Sequence, residues 1–461
     1  MSKIPNSSAA RDIASYLHPY TNLKTHLEDG PLVITHGNGV EVYDEEGKAY
    51  IEALSGLWCT SLGFDNERLV KSATKALENL PFYHGFGAKS HPPGIELAEK
   101  LLEFAPVPMS KVFFANSGSE ANDTAIKLIW YFNNALGRPE KKKIISRKKA
   151  YHGVTIATAS MTGLINNHID FDLPIDRIIH TECPHFYRFG KEEESEESFA
   201  TRCADDLHDL ITREDPNTVA AFFAEPVMGA GGVIPPPATY FEKIQPILKA
   251  YDILFVVDEV ICGFGRTGNM FGTETYDLQP DMITVAKALS SGYLPISALM
   301  VNDQIFQALV LQSEKIGIFG HGFTYGGHPV SCSVALETLK IYEESNMISH
   351  VKRVSPVLQS GLQKFADHDL IGEVRGIGLL GAIELVRNKK NKEPFEVSQG
   401  VGAYLASRCQ ENGLISRALG DTLAIAPPLI IDEKQISQML DILEVSLTET
   451  TAWITQNQTA N

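Results

Sequence analysis

Cysteine is scarce and unpatterned in this chain. Its six residues, at 59, 183, 203, 262, 332 and 409, contain no C-x-x-C pair. That argues against a disulfide framework and reads as reduced thiols, mostly packing residues, of a cytoplasmic protein. Positive charge is also in deficit: 40 Lys and Arg stand against 57 Asp and Glu, a net charge of −17. A nucleic-acid footprint needs the opposite balance. Part of the acidity is local, in Lys191-Glu-Glu-Glu-Ser-Glu-Glu197, which reads as a solvated loop or helix start. No apolar run approaches the roughly 18 to 20 residues that span a bilayer. The opening Met1-Ser-Lys-Ile-Pro-Asn-Ser-Ser lacks a signal-peptide core. Internal repeats and low-complexity linkers are missing too.

What is present is ordinary in composition, with 44% apolar content, and long enough at 461 residues for more than one core. Val33-Ile-Thr and Val40-Glu-Val-Tyr alternate, and Asn38-Gly39 and Glu46-Gly47 mark turns. Six strand-like runs follow: Val112-Phe-Phe-Ala, Lys143-Ile-Ile-Ser, Ile178-Ile-His, Ala220-Ala-Phe-Phe-Ala, Leu254-Phe-Val-Val and Met282-Ile-Thr-Val. Helical stretches separate most of them. Near-continuous apolar strands alternating with helices predict a mostly parallel sheet covered on both faces. After about residue 330 the rhythm changes to two helices, a strand in Gly378-Leu-Leu-Gly-Ala-Ile-Glu-Leu-Val, a further helix, a short β pair near 414–426 and a last helix near 432–450. The expected fold is α/β. A large domain, residues 61–328, holds the parallel sheet, and residues 329–461 form a smaller α+β domain. Residues 1–60 supply an N-terminal arm and part of that smaller domain.

Four segments carry candidate chemistry, each after a predicted strand. Asn116-Ser-Gly-Ser-Glu-Ala-Asn122 opens a helix whose apolar stripe is Ala121, Ala125, Leu128, Ile129 and Phe132. Gly118 would let backbone N–H groups approach an anion, and Ser117 and Ser119 would add hydroxyls. In Tyr151-His152-Gly153-Val154 a tyrosine could stack on a flat heterocycle, with Gly153 allowing close approach. Asp258 ends an apolar strand, where a lone carboxylate is expensive to bury. A protonated pyridine nitrogen would partner it, with Val260 under the ring. Lys287 ends the next apolar run and could hold an aldehyde cofactor as a Schiff base. Together these are the parts a pyridoxal phosphate (PLP) enzyme needs.

Taken singly, each has a plainer explanation: a serine N-cap, an aromatic packed in a turn, a salt bridge from Asp258 to Arg266, a lysine snorkelling at a strand end. Their occurrence in order favours the joint reading. Gly263-Phe-Gly-Arg-Thr-Gly268 and Gly376-Ile-Gly-Leu-Leu-Gly381 match a dinucleotide fingerprint in letters only, since neither lies between a strand and a helix. His180, Cys183 and His185 are metal ligands by type but lack a fourth partner nearby, so no metal is expected.

With these segments in place, the chain resembles the class III aminotransferases, which are fold-type I PLP enzymes, and within them the ω-amino acid and amine:pyruvate transaminases. The resemblance runs from about residue 15 to 450. It rests on Leu54-Ser-Gly-Leu-Trp58, Asn116-Ser-Gly-Ser-Glu-Ala-Asn-Asp123, Ala150-Tyr-His-Gly-Val-Thr155, Ala224-Glu-Pro-Val-Met-Gly-Ala-Gly-Gly-Val233, Asp258-Glu-Val-Ile-Cys-Gly-Phe-Gly-Arg-Thr-Gly268 and His321-Gly-Phe-Thr-Tyr-Gly-Gly-His-Pro329.

The resemblance implies roles position by position. Lys287 would be the Schiff-base lysine and proton shuttle, and Asp258 the pyridinium partner. Gly118 and Ser119 would bind phosphate, Tyr151 and Val260 would flank the ring, and Glu225 would set the local hydrogen-bond network. Thr324 would reach the phosphate in a neighbouring subunit, making the enzyme an obligate homodimer with shared active sites; association into a tetramer stays open. Leu57, Trp58, Tyr151 and Ile261 would line the substrate pocket, with Tyr20 from the arm and Phe86 from the partner. Arg417 would pair with a substrate carboxylate and swing aside for an apolar group. The implied reaction is ping-pong transfer of an amino group from an amine or ω-amino acid to pyruvate. Another PLP reaction on the same fold, such as decarboxylation, racemisation or an aminomutase shift, is the alternative. At Gly87, after Phe86, relatives acting on aryl amines can carry a second phenylalanine. The less aromatic wall leaves room for longer aliphatic amines or diamines.

Overall fold

The computed structural model describes residues 5–459. Near the N-terminus β1 (Ile34–Asn38), β2 (Glu41–Asp44) and β3 (Ala49–Glu52) form an antiparallel meander. Asp44 holds its second turn by accepting the Glu46 and Lys48 N–H groups, each at 2.9 Å.

The central sheet has seven strands: β4 (Lys111–Ala115), β5 (Lys143–Arg147), β6 (Ile178–Thr181), β7 (Val219–Ala224), β8 (Leu254–Asp258), β9 (Met282–Val285) and β10 (Ser297–Val301), in the order β4-β10-β9-β8-β7-β5-β6. Strands β6, β5, β7, β8 and β9 pair in parallel. Successive residues of β7 and β8 serve opposite faces, as the period of two requires. Phe222 and Val257 pack with the helices Glu196–Arg213 and Tyr240–Ala250, while Phe223 and Val256 pack with the helix Gly118–Ala135. Burial on both faces explains why β7 reads as an unbroken apolar run. The acidic stretch behaves as its composition suggests: Ser195 caps the helix Glu196–Arg213.

Six of these strands are legible in the sequence, and β10 is not. It runs antiparallel between β4 and β9. Residues 286–296, which join β9 to β10, hold a short 3-10 helix at Lys287–Ser290 and no crossover α-helix, and a return without such a crossover reverses strand direction.

Toward the C-terminus β11 (Ile371–Ile377), β12 (Leu380–Leu385), β13 (Leu414–Ile415), β14 (Arg417–Leu419) and β15 (Thr422–Ile425) follow the helices Pro329–Glu344 and Met347–Gln363. Their sheet has the order β11-β12-β15-β14. Strand β13 leaves it and pairs in parallel with β3, so the N-terminal meander is completed by the far end of the chain. The sequence places a strand from Gly378 onward. The structure instead puts Gly378 in the β11–β12 turn at φ +59°, where a Cβ would stand 2.4 Å from the Arg266 carbonyl oxygen. Strand β11 escapes the sequence because Glu373 and Arg375 interrupt its apolar pattern; both are used in an ion-pair network with Glu384. The second glycine string, Gly376 to Gly381, therefore lies in a hairpin. The last helix, Glu433–Thr459, is longer than its apolar stripe suggests.

One apolar cluster runs from Val40 and Leu62 through Val285 and Leu289 to Ile383, Leu414 and Leu447, joining N-terminal, central and C-terminal elements. Among the described residues no helix is long and apolar enough to cross a membrane.

Candidate active site

The chemistry-bearing residues converge at one edge of the sheet, beyond the C-terminal ends of the parallel strands, where open α/β sheets place ligands. Asp258 is the last residue of β8, Glu225 follows β7, Tyr151 follows β5, and Lys287 follows β9. They border a cavity of about 330 Å³.

At its base Asp258 is nearly enclosed. Its Oδ2 accepts from Asn122 Nδ2 at 2.7 Å and lies 2.8 Å from His152 Nδ1, while Oδ1 accepts from the Val260 N–H at 3.0 Å. Burial alone would raise its pKa, but His152, Asn122 and the Val260 amide together hold the carboxyl below its ordinary range. Arg266 is not its partner: that guanidinium goes to Leu379 O, Pro427 O and Ser55 Oγ.

The wall opposite is the start of the helix Gly118–Ala135. Ser117 caps it, its Oγ accepting the Glu120 N–H at 3.2 Å, and Ser117 O takes the Ala121 N–H at 3.0 Å. The N–H groups of Gly118 and Ser119, for which a helix has no internal acceptors, remain at the cavity. Ser119 Oγ accepts from Val154 N at 3.2 Å and keeps its own proton to donate. A Cβ at Gly118 would stand 3.1 Å from both Val260 methyls. Gly153 has φ +131°, and a Cβ there would meet Ser119 Oγ at 2.5 Å and Thr158 Oγ1 at 2.7 Å. Only glycine fits that approach.

Lys287 reaches the cavity from a turn where it adopts φ +48°, a left-handed conformation that a lysine rarely takes. Burial pushes its ammonium pKa down; Cys59, Asp258 and Glu225 oppose that shift, and Arg417 adds to it. Glu225 fixes two backbone segments, Oε1 accepting from Tyr151 N at 3.1 Å and Oε2 from Gly229 N at 2.9 Å. Burial raises its pKa.

The substrate-pocket candidates divide into three groups. Tyr151 and Ile261 line the cavity. Leu57 and Trp58 belong to the turn Ser55–Trp58, in which Ser55, Gly56 and Trp58 have φ of 52°, 66° and 64°. Trp58 is buried against Ile261, Val227 and Leu380, whereas Leu57 is exposed. Tyr20 and Arg417 stand beyond Tyr151, the guanidinium 5.9 Å from the Tyr20 ring. Phe86 and Thr324 do not border this cavity. Both are exposed, and Phe86 lies against the loop carrying Thr324, its Cζ 3.0 Å from where a Gly322 Cβ would be. His180 and His185 are engaged elsewhere, with Met161 O and Glu373.

Sequence reading missed Asn122 and Cys59, which also border the cavity. Asn122 was detectable as a polar residue inside an otherwise apolar helix stripe. It also missed Glu52, which accepts the Gly56 N–H and so holds the Ser55–Trp58 turn. Burial pushes the Glu52 carboxyl up to about 8 against the opposing Gly56 and Leu54 amides and Arg266.

A helix start with two free N–H groups, a buried ionised carboxylate and a lysine biased toward its neutral form match the phosphate, ring nitrogen and aldehyde of PLP. Asp258 Oδ1, with a single hydrogen bond, retains acceptor capacity for a ring N–H. Fold and site thus define a PLP-dependent transferase of fold type I. The chain belongs to the class-III aminotransferases, whose family model, Aminotransferase class-III, matches residues 24–447. A γ-aminobutyrate transaminase 3, chloroplastic, of Solanum lycopersicum is 54% identical over 443 residues, 95% of this chain and 85% of that protein. The ω-transaminase of Pseudomonas jessenii, solved with PMP, superposes with a TM-score of 0.96 at 54% identity over 97% of this chain and 99% of that one. A transaminase solved with L-alanine gives 0.91 at 56% identity over 92% of this chain and all of that one.

Proposed function

We propose that this transaminase takes its amino group from an amine or ω-amino acid and passes it to pyruvate in a ping-pong reaction. The observation that carries the reading is Arg417. Its guanidinium forms no ion pair among the described residues, stands over Tyr20, and is near enough for its charge to act on Lys287 and Tyr151. An arginine so placed can hold a carboxylate at the far end of a substrate from the reacting nitrogen. The relatives named for γ-aminobutyrate support an ω-amino acid donor, and the transaminase solved with L-alanine supports the pyruvate–alanine pair. An ω-transaminase variant with a tryptophan, a phenylalanine and an arginine replaced was engineered for synthesis of bulky amines. Trp58, Phe86 and Arg417 supply the same three residue types here.

PLP, when bound, is the electron sink that lets the amine-bearing carbon lose its proton. Gly118, Ser119 and the helix start would hold its phosphate, Tyr151 and Val260 its ring faces, and Asp258 its ring nitrogen in protonated form. Lys287 Nζ would be the base that takes the proton from the amine-bearing carbon and, as its conjugate acid, would deliver it to the cofactor's aldehyde-derived carbon rather than back to the substrate carbon. Glu225 keeps Tyr151 and Gly229 in place. Phe86 and Thr324, side by side and away from the cavity of their own chain, would complete the site of a second subunit in a homodimer. Glycine at position 87, after Phe86, leaves the expected wall less aromatic, which favours an aliphatic donor.

The test is alanine formation from pyruvate by PLP-loaded protein with 4-aminobutyrate, an aliphatic diamine and each enantiomer of 1-phenylethylamine. Alanine from the aliphatic donors, and from one aryl enantiomer at most, supports the reading. Bound cofactor with no alanine from any of them overturns it.

A further inference from the structure

The N-terminal arm carries a second constellation that the reaction does not use. Asp12 lies on the helix Ser8–Ser15, His26 on the helix Leu23–Asp29, and His18 between them. His18 Nε2 is 2.9 Å from both Asp12 carboxylate oxygens, and His26 Nε2 is 3.0 Å from Oδ1. The two imidazole rings are 4.4 Å apart. The His26 side chain is only 8% exposed, yet its Nε2 has no hydrogen-bond partner. It faces the carboxylate off the hydrogen-bonding direction. A buried imidazole nitrogen without a partner is costly. The Asp12–His18 contact accounts for those two residues and leaves His26 Nε2 at ion-pair distance from Oδ1 but without a directed hydrogen bond. A cation shared by all three accounts for each.

We propose that Asp12, His18 and His26 bind one first-row divalent metal ion of the zinc type, which clamps the arm beside the active site. Two imidazoles and a carboxylate suit such ions, and three protein ligands leave a fourth position for water. The three donor groups lie within 4.8 Å of one another. Tetrahedral zinc, with ligand bonds of about 2.0–2.2 Å, sets its donors about 3.3 Å apart. The two imidazole nitrogens, now 2.9 and 3.0 Å from Asp12 oxygens, would each need to move back from that carboxylate by a few tenths of an ångström. The consequence concerns Tyr20, which lies within the loop that the ion would close. Its hydroxyl accepts from Asn167 Nδ2 at 2.6 Å and its ring faces Arg417. The ion would therefore fix a residue at the cavity mouth from outside the reacting centre.

The test uses the holoenzyme after chelator treatment and dialysis. Zn²⁺ is titrated into wild type, Asp12→Asn and the His18→Ala/His26→Ala double variant, with His208→Ala as a control for other histidines. One Zn²⁺ per chain in wild type and in the control, weakened at least about 100-fold in the double variant, is the expected result. Co²⁺ on the wild type should give visible d–d bands that Zn²⁺ abolishes, a readout that does not depend on any variant folding. No stoichiometric Zn²⁺ uptake by the wild type, equal uptake by wild type and double variant, or no d–d bands would overturn the proposal.

Discussion

His152 Nδ1 lies 2.8 Å from Asp258 Oδ2, with both side chains out of solvent at 0% and 4% exposure. Together with Asn122 and the Val260 amide, His152 holds the carboxyl below its ordinary range although burial pushes the other way. The proposed partner for the cofactor's ring nitrogen is thus built from three residues that are distant in sequence. Asp258→Asn removes the charge and keeps the shape. The expected outcome is a loss of about 100-fold or more in the first half-reaction, followed by cofactor absorbance, with thermal unfolding little changed. Asn122→Ala should lower the same rate by a smaller factor, because one of two supporting side chains remains.

Gly153→Ala tests the cradle. The added methyl meets Ser119 and Thr158 at less than contact distance in a conformation that alanine resists. A stability loss of about 1–3 kcal/mol is expected, together with faster loss of PLP on dialysis. Calorimetry and cofactor absorbance measure the two effects.

Glu52 gives a pH dependence with a definite sign. Its folded pKa, about 8, is above the ordinary 4.5. Between those values the unfolded chain has released the proton and the folded chain keeps it. The contribution to stability is full below about pH 4.5 and declines as pH rises toward 8, by at most about 1.4 kcal/mol per unit. Glu52→Gln should flatten that decline in urea unfolding curves between pH 5 and 8. An unchanged slope would remove Glu52 as its source.

Arg417→Ala separates the two substrates. KM for pyruvate should rise by about 10- to 100-fold, the scale of a lost charge-assisted contact. The kcat/KM for an amine without a carboxylate should stay within about threefold. Steady-state kinetics with each substrate varied in turn provide the comparison.

Legibility in the sequence followed chemistry more closely than geometry. Lys287, Asp258 and Gly118 stand out because a charge or a glycine ends an apolar strand or opens a helix. Six strands were visible because burial on both faces makes them continuously apolar. Strand β10 was hidden because nothing in Ser297-Ala-Leu-Met-Val301 announces its reversed direction, which follows from the return after β9 without a crossover α-helix. Strand β11 was hidden because Glu373 and Arg375 are polar residues paired inside the structure. Asn122 escaped because it matters through a partner far away in sequence, Asp258, and Glu52 because its role is to hold the irregular turn Ser55–Trp58 just after it, which has no regular pattern to read. Phe86 and Thr324 were assigned by resemblance, and in a single chain they stand apart from the cavity.

The central claim is that Lys287 moves the proton during amino transfer to pyruvate. Alanine formation from pyruvate and 4-aminobutyrate, measured on PLP-loaded Lys287→Ala beside wild type, tests it most directly. The account predicts robust alanine formation by wild type and none above background by the variant, although the variant still binds PLP. Turnover retained in the variant, in protein free of wild-type enzyme, would contradict it.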